Sequence, residues 1–320
     1  MPIKYNDVKQ MVRDVDRISR NVYLSAFNDA MMDFEGQIFL DLMSLDEDEK
    51  MFEYTPKDRQ YIFGANNVQP ASCSSVPMDV ETSSGDTVRG LTHLFESGYH
   101  LCIEKCNKDS LEEEVYNKEK AAALVLINML HQQMWYGVPE LMQYGLLNHP
   151  LIELIESPPT RYPGEEQCGG GDNCGSSKWE HKTINEIVKE IRSAIRHYIN
   201  PQIIMSERAY ENSMSVIDER LLSSGTYGVM RYEQVESALR RQGLLPFSNI
   251  IPHIELDAHP KYDNKDIAIV HDRGAMALTA SQPIWMGSYN DAKNVHVIRK
   301  IRTGGLRINY EDAVKIIVGV

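Results

Sequence analysis

The sequence predicts an α+β fold, and three observations support that prediction. Residues 111–136 have the pattern of one long helix. Residues 52–106 are interrupted repeatedly by glycine and proline, with only short β-leaning pieces between the interruptions. The chain then ends in β-branched segments on either side of Gly304-Gly305. This order of elements is typical of a structural building block more than of a catalyst.

The long helix is the clearest element of the sequence. Ser110 and Glu113 have the spacing of a capping box, in which each side chain satisfies a backbone N–H at the helix start. Gly137 and Pro139 end the pattern, so the helix should be about 39 Å long. The residues expected on its buried apolar face are Val115, Ala122, Val125, Leu126, Met129, Leu130 and Met134.

The N-terminal region, residues 7–43, is predicted to form one or two helices because apolar residues recur there at helical spacing. A second apolar cluster near its end includes Leu42 and Met43. The acidic run Asp46-Glu47-Asp48-Glu49 that follows is interpreted as a solvated loop. We therefore expect a helical N-terminal arm.

Residues 52–106 are predicted to form a long extended arm. Ser83-Ser84-Gly85-Asp86 is a candidate hairpin turn within it. The β-leaning pieces have modest apolar content, so the arm buries little surface on itself. It needs a second surface to pack against, either in its own chain or in a neighbouring copy.

A second irregular stretch, residues 157–182, is interpreted as a mobile insertion because it contains prolines, a glycine run and almost no apolar residues. Cys168 and Cys174 flank the glycine run. A structural zinc site needs four ligands at tighter spacing, so unlinked thiols are favoured over zinc. The five cysteines of the chain are thinly spread and odd in number, which argues against a disulfide framework.

The second half of the chain alternates helices and strands. Thr183 and Glu186 repeat the capping-box spacing at the start of a helix predicted over 184–199. Two further helices are predicted at 206–210 and 232–241. The predicted strands are 201–205, 250–256, 266–271, 294–302 and 306–318, the last two separated by the glycine pair.

The composition narrows the class of function. The 320 residues carry a net charge of −13 and no dense run of lysine and arginine, so strong direct binding of DNA or RNA is disfavoured. Copies of such an acidic chain repel each other unless shape and apolar contacts compensate. The longest apolar run, 121–127, is far too short to span a membrane. The N-terminus lacks the apolar core of a secretory signal, so we expect synthesis in the cytoplasm.

Catalytic signatures are weak. The sequence has no nucleophile elbow, P-loop, dinucleotide fingerprint or zinc-protease helix motif. His149 is interpreted as a turn residue, because a general base needs an orienting partner and none is apparent. His253, Glu255, Asp257 and His259 alternate along the chain, and on a strand they could share one face, where metal binding is an alternative. The favoured interpretation is a sheet end with polar residues toward solvent.

Several segments of the sequence, taken together, form a recognisable set. They are Tyr136-Gly137, Gly145-Leu146-Leu147-Asn148-His149-Pro150, the helix after Thr183, Pro201-Gln202-Ile203-Ile204-Met205 with Tyr210, Ile301-Arg302-Thr303-Gly304-Gly305-Leu306, and Ser75-Val76-Pro77-Met78-Asp79-Val80. Together they resemble the major capsid proteins of tailed bacteriophages, which have the Hong Kong ninety-seven type capsid fold. The resemblance covers roughly residues 52–320; the insertion 157–182 is an addition to it, and the helical start 7–43 has no matching motif.

The resemblance implies a division into four parts, with the long helix as the spine of a peripheral domain. The extended β-hairpin loop would reach over an adjacent subunit, and the tips of the axial domain would meet around five-fold and six-fold axes. The implied parts are an N-terminal helical arm (1–51), the extended loop and leading strands (52–110), a peripheral domain (111–139 plus 291–320), and an axial domain (140–290) that contains the mobile insertion 157–182.

Seven residues are candidates for subunit contacts. Five lie in the extended arm. The other two are the pair that follows a predicted strand, for which an ion pair within the chain is the default alternative. No catalytic, cofactor-binding or metal-binding residue is predicted. The candidates are Tyr61, Phe63, Val76, Met78, Val80, Asp272 and Arg273.

The implied function is that of a non-enzymatic major capsid protein, which self-assembles as pentamers and hexamers into an icosahedral shell around double-stranded DNA. Its partners would be further copies of itself, a portal, and scaffolding or decoration proteins, with weak contact with the packaged DNA and no membrane. It would reside in the virion after assembly in the host bacterial cytoplasm. Two alternatives stay open: an encapsulin-like nanocompartment shell, and a metal-dependent hydrolase that uses His253, Glu255 and His259 with Cys168 and Cys174.

Overall fold

A computed structural model describes residues 8–32, 34, 41–44, 51–54, 88–103, 110–160, 176–195, 201–215, 230–241, 250–272, 274–291, 293–310 and 313–320. Its mixture of helices and strands confirms the predicted α+β class. The helices are α1 (Val8–Met31), α2 (Leu111–Trp135), α3 (Ile184–Ala194), α4 (Glu207–Ser213) and α5 (Arg231–Arg241). The strands are β1 (Asp41–Ser44), β2 (Met51–Tyr54), β3 (Val88–Leu91), β4 (His93–Cys102), β5 (Gly137–Val138), β6 (Gln143–Tyr144), β7 (Glu153–Glu156), β8 (Pro201–Ser206), β9 (Ile250–His253), β10 (Ile267–Asp272), β11 (Met276–Ala280), β12 (Ile284–Asn290), β13 (Asn294–Ile308) and β14 (Val314–Val318).

The described residues group into two compact units. The first comprises the described residues up to Tyr54, together with Val88–His149 and Ala277–Arg307. The second comprises the described residues within Pro150–Met276 and Ile308–Val320. The first unit therefore holds α1 and α2, and the second holds α3, α4 and α5.

The first unit is built on a sheet with the strand order β1-β11-β13-β12, in which β4 also pairs with β13. β13 is 15 residues long, and its first half pairs antiparallel with both β12 and β4. α1 packs against α2 and β12, while α2 packs against β4. The apolar core that these elements share includes Met11, Val15, Ile18, Leu101, Leu111, Val115, Val295 and Val297.

α2 is the predicted long helix, and its bounds agree with the prediction to within one residue. Its predicted capping box is wrong, because the Ser110 side chain makes no cap hydrogen bond. Val125, which was expected in the core, is 56% exposed. The buried stripe of the helix runs through positions such as Val115, Ala122 and Leu126, which places Val125 beside that stripe on the solvent side.

α1 confirms the helix predicted near the N-terminus. The prediction is wrong further along, because Asp41–Ser44 form β1 and pair in parallel with β11. A short apolar run such as Leu42 and Met43 does not by itself distinguish a strand from a helix. Residues 35–40 and the acidic run 46–49 lie outside the described residues.

The extended arm predicted over 52–106 is shorter than expected, because His93–Cys102 form β4 and pair with β13 in the sheet of the first unit. The base of the arm is described. β2 and β3 pair antiparallel, with Met51 opposite Leu91 and Tyr54 opposite Val88. The chain therefore leaves and re-enters this two-stranded ribbon at the same point. Residues 55–87 lie outside the described residues. They include the candidate hairpin turn and the predicted interface residues Tyr61, Phe63, Val76, Met78 and Val80.

The second unit is built on a sheet with the strand order β7-β14-β10-β8-β9. β8 and β10 are buried at every position, as expected of central strands that are covered on both faces. α3 begins with the predicted capping box: Thr183 Oγ1 accepts from the Glu186 N–H at 3.3 Å, and the Glu186 carboxylate accepts from the Thr183 N–H at 2.8 Å. The core includes Ile187, Val188, Ile191, Ile203, Met205, Val235, Leu239, Ala268 and Val270.

Two predicted strand ends are wrong. β13 does not stop before the glycine pair but continues to Ile308, and the next strand begins at Val314. Glycine weakens a strand, but it does not end one whose neighbours continue to pair. β9 ends at His253 instead of Leu256, because the His253 side chain accepts from the Glu255 N–H at 3.2 Å and caps a 3-10 helix.

Both ends of the predicted insertion 157–182 belong to the second unit. Thr160 and Ser176 form an antiparallel bridge. Trp179, which the composition of this stretch obscured, is fully buried in the core. The returning chain is therefore packed, while residues 161–175, with both cysteines, lie outside the described residues.

The two units differ in extent from the predicted domains. The first unit continues to His149, ten residues beyond the predicted end of the peripheral segment at residue 139. β14 belongs to the second unit because it pairs with β10 and β7, whereas the prediction placed all of 291–320 in the peripheral domain. The assignment of the units as peripheral and axial domains stays a prediction.

Candidate assembly surfaces and buried polar clusters

The glycine-rich motif in β13 is held by a chain of buried polar groups, which we call the Gln143 cluster. Gln143 Nε2 donates to the carbonyl oxygen of Thr303 at 2.7 Å. Gln133 Nε2 in turn donates to Gln143 Oε1 at 3.0 Å. Thr279 Oγ1 donates to the carbonyl oxygen of Gly305 at 2.8 Å. These hydrogen bonds join α2, β6, β11 and β13 in one buried position.

Gly305 has a local reason to be glycine. Its φ is +82°, and a Cβ at this position would lie 3.1 Å from the Gln143 Cβ. Glycine adopts positive φ without the steric cost that other residues meet there. The motif therefore lets the last part of β13 pass close to the turn that follows α2.

That turn is itself a tightly packed corner. Gly137 has φ +62°, and a Cβ there would lie 2.3 Å from a backbone oxygen of β6. A Cβ at Gly145 would lie 2.6 Å from the last residue of α2. Asn148 Oδ1 accepts from the Gly145 N–H at 2.7 Å, while its Nδ2 donates to the carbonyl oxygen of Tyr136 at 2.5 Å. The segment that carried much of the sequence resemblance is thus a closely packed, hydrogen-bonded end to the long helix.

Gln143→Leu is expected to destabilise the first unit by about 2–4 kcal/mol, because it leaves the Thr303 carbonyl and the Gln133 amide without their buried partner. Gln132→Leu, at an exposed position of α2, is the matched control and should change the free energy of unfolding by less than about 0.5 kcal/mol. Urea unfolding of both variants measures the difference. Equal effects of the two substitutions would count against a specific role for the cluster.

A second buried group, which we call the Glu119 cluster, comprises Ser19, Tyr99, Glu119 and Arg299. Glu119 of α2 is fully buried. Its Oε1 accepts from Ser19 Oγ of α1 and, at 2.8 Å, from the Tyr99 hydroxyl of β4. Its Oε2 pairs with the buried guanidinium of Arg299 of β13. The Arg299 guanidinium also lies 5.9 Å from the centres of the Tyr99 and Tyr23 rings.

The Glu119 cluster positions elements and has no exposed reactive group. Burial raises the pKa of Tyr99 to about 12, so its hydroxyl keeps its proton and remains a donor to Glu119. The opposite charges of Glu119 and Arg299 neutralise each other away from water. Forming such a pair costs the free energy of removing both ions from water. Losing one partner would leave the other as an uncompensated buried charge.

Sequence reasoning missed this cluster, although one signal was present. Glu119 lies in the same helical stripe as Val115, Ala122 and Leu126, so it is a carboxylate at a position where the pattern requires an apolar residue. A charged residue in such a stripe needs a partner. Nothing in the sequence near β13 identifies Arg299 as that partner.

His149 is buried in the corner after α2, as a turn residue that packs its ring. The ring meets Tyr144 edge-on, with the centroids 6.0 Å apart. Burial lowers the pKa of His149 to about 4. His149 is therefore neutral at physiological pH and acts here as a packing group.

Acid is expected to destabilise the first unit between about pH 6.5 and pH 4. An unfolded histidine has a pKa of about 6.5, so the unfolded state binds more protons than the folded state in this window. The contribution of neutral His149 to the free energy of unfolding is fully present above about pH 6.5 and decreases as the pH is lowered. It is reduced by about 3 kcal/mol once the pH falls below the folded-state pKa. Urea unfolding at about pH 7.5 and at about pH 4.5 measures the loss of unfolding free energy.

His149→Gln should remove the share of this pH dependence that comes from His149, while the fully buried His271 of the second unit, whose pKa is lowered by burial to about 3, keeps its own share. His100→Gln, at an exposed position of β4, should leave the pH dependence unchanged. If the first variant keeps the full pH dependence, His149 is not the group responsible.

Exposed apolar side chains occur on α2 and on the sheet of the first unit. On α2, Leu124 and Val125 are exposed. On the sheet, Leu94, Met286 and Tyr289 are exposed. Apolar groups grouped on a protein surface often mark contacts with another molecule. No described helix combines the length and apolar character needed to cross a bilayer.

The second unit has a buried ion pair beside the predicted insertion. Lys182 Nζ pairs with Glu190 Oε1 and donates to Ser157 Oγ at 2.6 Å. Trp179 Nε1 donates to Glu190 Oε2 at 2.9 Å. These contacts join both ends of the insertion to α3. They also give the buried Lys182 ammonium group an ion-pair partner and a hydrogen-bond acceptor.

Of the seven predicted interface residues, Asp272 is the one that lies within the described residues. It is only 1% exposed, at the end of β10. Its N–H donates to the carbonyl oxygen of Ala313 at 3.0 Å, and its own carbonyl oxygen accepts from Ala275 at 2.9 Å. Its contribution to a subunit contact stays a prediction, as do those of Arg273 and the five arm residues.

The residues of the hydrolase alternative do not share a strand face. β9 ends at His253, Glu255 lies on a 3-10 helix, and His259 Nδ1 accepts from the Lys261 N–H at 3.3 Å. Within the part of the chain that the structure describes, no group of three or more His, Cys, Asp or Glu side chains is placed to hold a metal ion. Cys168 and Cys174 lie outside that part.

The comparisons with known proteins rest on structure, because no family model and no curated protein matches the sequence. The chain is similar to the capsid of Myoviridae phage XM1, with 9% identity and a TM-score of 0.55 over 88% of this chain and 90% of that chain. It is similar to the capsid of a native GTA particle, with 9% identity and a TM-score of 0.54 over 89% of each chain. A phage-related protein from Bordetella bronchiseptica RB50 is also similar, with 8% identity and a TM-score of 0.51 over 91% of this chain and 95% of that chain.

These similarities extend over most of both chains, so they concern the whole architecture. The chain has the Hong Kong ninety-seven type capsid fold, as the sequence resemblance implied. At identities this low, a structural likeness defines the fold, and a function must be argued separately.

Proposed function

We propose that this chain is a shell-forming structural protein and, more specifically, the major capsid protein of a tailed bacteriophage. Many copies would associate into an icosahedral shell that encloses double-stranded DNA. The observation that carries the proposal is the likeness to capsid chains over about nine-tenths of the length, at TM-scores of 0.54 and 0.55.

The first unit supports this proposal with surfaces suited to contact between copies. α2 has 25 residues and exposes Leu124 and Val125 beside its buried stripe. The sheet exposes Leu94, Met286 and Tyr289. A chain with a net charge of −13 needs such apolar contacts, because its copies repel each other electrostatically.

The base of the arm supports a contact made by residues 55–87. β2 and β3 hold the two ends of this segment side by side, so the segment can project without disturbing the sheet from which it departs. The contact that we propose for it is with an adjacent copy. Tyr61, Phe63, Val76, Met78 and Val80 are the side chains proposed to make it.

The net negative charge supports a shell that encloses nucleic acid without binding it tightly. Strong binding of DNA requires the neutralisation of several phosphates by lysine and arginine. The chain has 33 such residues against 46 acidic ones. We therefore propose weak contact with the packaged DNA, with portal and scaffolding or decoration proteins as further partners in the virion.

Expression of the full chain tests the proposal directly. Negative-stain electron microscopy should show closed particles, and light scattering should show an assembly of many copies. A protein that is monodisperse and monomeric at high concentration, without particles under any ionic condition tried, would contradict a role in a shell.

The contents of particles from the native source separate the two kinds of shell. Double-stranded DNA inside them supports the phage capsid, whereas an enzyme held as cargo supports a nanocompartment. Elemental analysis of the same material tests the hydrolase alternative, which requires a stoichiometric metal.

A further inference from the structure

Helix α1 presents two different stripes to the rest of the first unit. Met11, Val15 and Ile18 form an apolar stripe in the shared core. A polar and aromatic stripe follows the same helical spacing, i, i+3, i+4 and i+7. Its members are Asp16, Ser19, Arg20 and Tyr23.

Each member of this second stripe has a specific partner. Asp16 Oδ1 accepts from Ser288 Oγ of β12 at 3.0 Å. The Arg20 guanidinium lies 5.4 Å from the centre of the Trp285 ring, also in β12. The two remaining members meet the Glu119 cluster: Ser19 donates to Glu119 of α2, and the Tyr23 ring faces Arg299 of β13.

These partners fix the register of the helix. They come from α2, β12 and β13, so all four contacts form together at one position of α1. A shift of one residue would turn Ser19 away from Glu119 by about a quarter of a helical turn. Glu119 would then be buried with fewer donors, and an underpaired buried carboxylate is costly.

We propose that the groove formed by α2, β12 and β13 is a helix-docking site whose occupant is an α1 helix, and that the polar stripe selects the register in which it binds. α1 then does not need its covalent connection to β1 to stay in place. It remains bound after the connection is cut, and it is replaced by the α1 segment of a second copy. This inference does not depend on the proposed shell function.

The test uses the full chain with a protease recognition sequence, flanked by glycine and serine, inserted after Gly36. Intact mass confirms complete cleavage. Size-exclusion chromatography and native mass spectrometry should then show the N-terminal fragment still bound at a ratio of one to one. A fluorescent peptide of residues 8–32 in excess should replace the fragment at a measurable rate.

Two variants separate register selection from simple apolar association. Ser19→Ala should raise the exchange rate about tenfold, because it removes one donor from the buried Glu119 carboxylate. Ser25→Ala, on the same helix at an exposed position where the hydroxyl donates to the Val22 carbonyl oxygen, should leave the rate unchanged.

Loss of the fragment on cleavage would overturn the proposal, and so would equal exchange rates in the two serine variants. A register-shifted peptide, with one residue inserted before Asp16, should fail to compete. Competition by that peptide as strong as by the native sequence would overturn the selection of register.

Discussion

Replacing residues 55–87 with an Asn-Gly turn is expected to give a folded and soluble subunit that forms no particles. Tyr54 and Val88 are directly opposite each other in the β2–β3 ribbon, and Asn-Gly is the favoured two-residue connection for such a pair. The ribbon should therefore close without distortion. The arm proposed to bind a neighbouring copy would be absent, and with it the contact that links adjacent subunits.

A matched control removes a different segment of the same chain. Residues 161–175 can be replaced by a short glycine-serine linker between Thr160 and Ser176, which already form an antiparallel bridge. This variant should still assemble, because the segment is not proposed to contact a neighbour. Circular dichroism and urea unfolding establish that both variants fold. Particles of normal size from the variant without 55–87 would rule out an essential role for the arm.

Glu119→Leu is expected to destabilise the first unit by about 3–5 kcal/mol, because it leaves the Arg299 guanidinium buried without a counter-charge. Ser19 and Tyr99 would also lose their shared acceptor. Lys120→Leu, at the adjacent exposed position of α2, should change the free energy of unfolding by less than about 0.5 kcal/mol. Chemical unfolding, followed by tryptophan fluorescence, measures both.

The double variant Glu119→Leu with Arg299→Met tests whether the loss arises from an unpaired charge. Replacing both partners by apolar residues of similar size is often nearly neutral. The double variant should therefore be more stable than Glu119→Leu alone. Strictly additive losses would mean that the two residues act independently and that the ion pair is not the cause.

The parts of the fold that local patterns determine were predictable from the sequence. α2 was predicted to within one residue, because its apolar stripe is long and glycine and proline mark its end. The capping box of α3 was predicted correctly as well, since it depends only on residues three apart. The same spacing at Ser110 does not produce a cap, because a motif of this kind also needs the right backbone angles at the first residue.

The parts that depend on contacts distant in the chain were not predictable. Val125 was placed in the core because it is apolar and close to the buried stripe, but only the position of α1 and β4 decides which side of α2 is covered. Asp41–Ser44 form a strand only because β11, more than two hundred residues later, pairs with them. β13 likewise continues past the glycine pair as a strand that neighbours β11 in the sheet.

The candidate site shows the same limit. The glycine-rich motif is recognisable from the sequence. The need for glycine at position 305 arises from its close approach to Gln143, which the sequence does not reveal. Glu119 and Arg299 are separated by 180 positions, and no local pattern connects them. The predicted interface depends on a second copy of the chain, which the sequence of one copy does not specify.

The bridge between Thr160 and Ser176 has a practical consequence. A chain whose departure and return points are fixed side by side tolerates changes in the length between them, since each doubling of loop length adds only about 0.6 kcal/mol of closure entropy. A foreign peptide grafted at this site should leave the host fold intact. If copies do associate into a shell, each particle would display that guest in as many places as it has subunits.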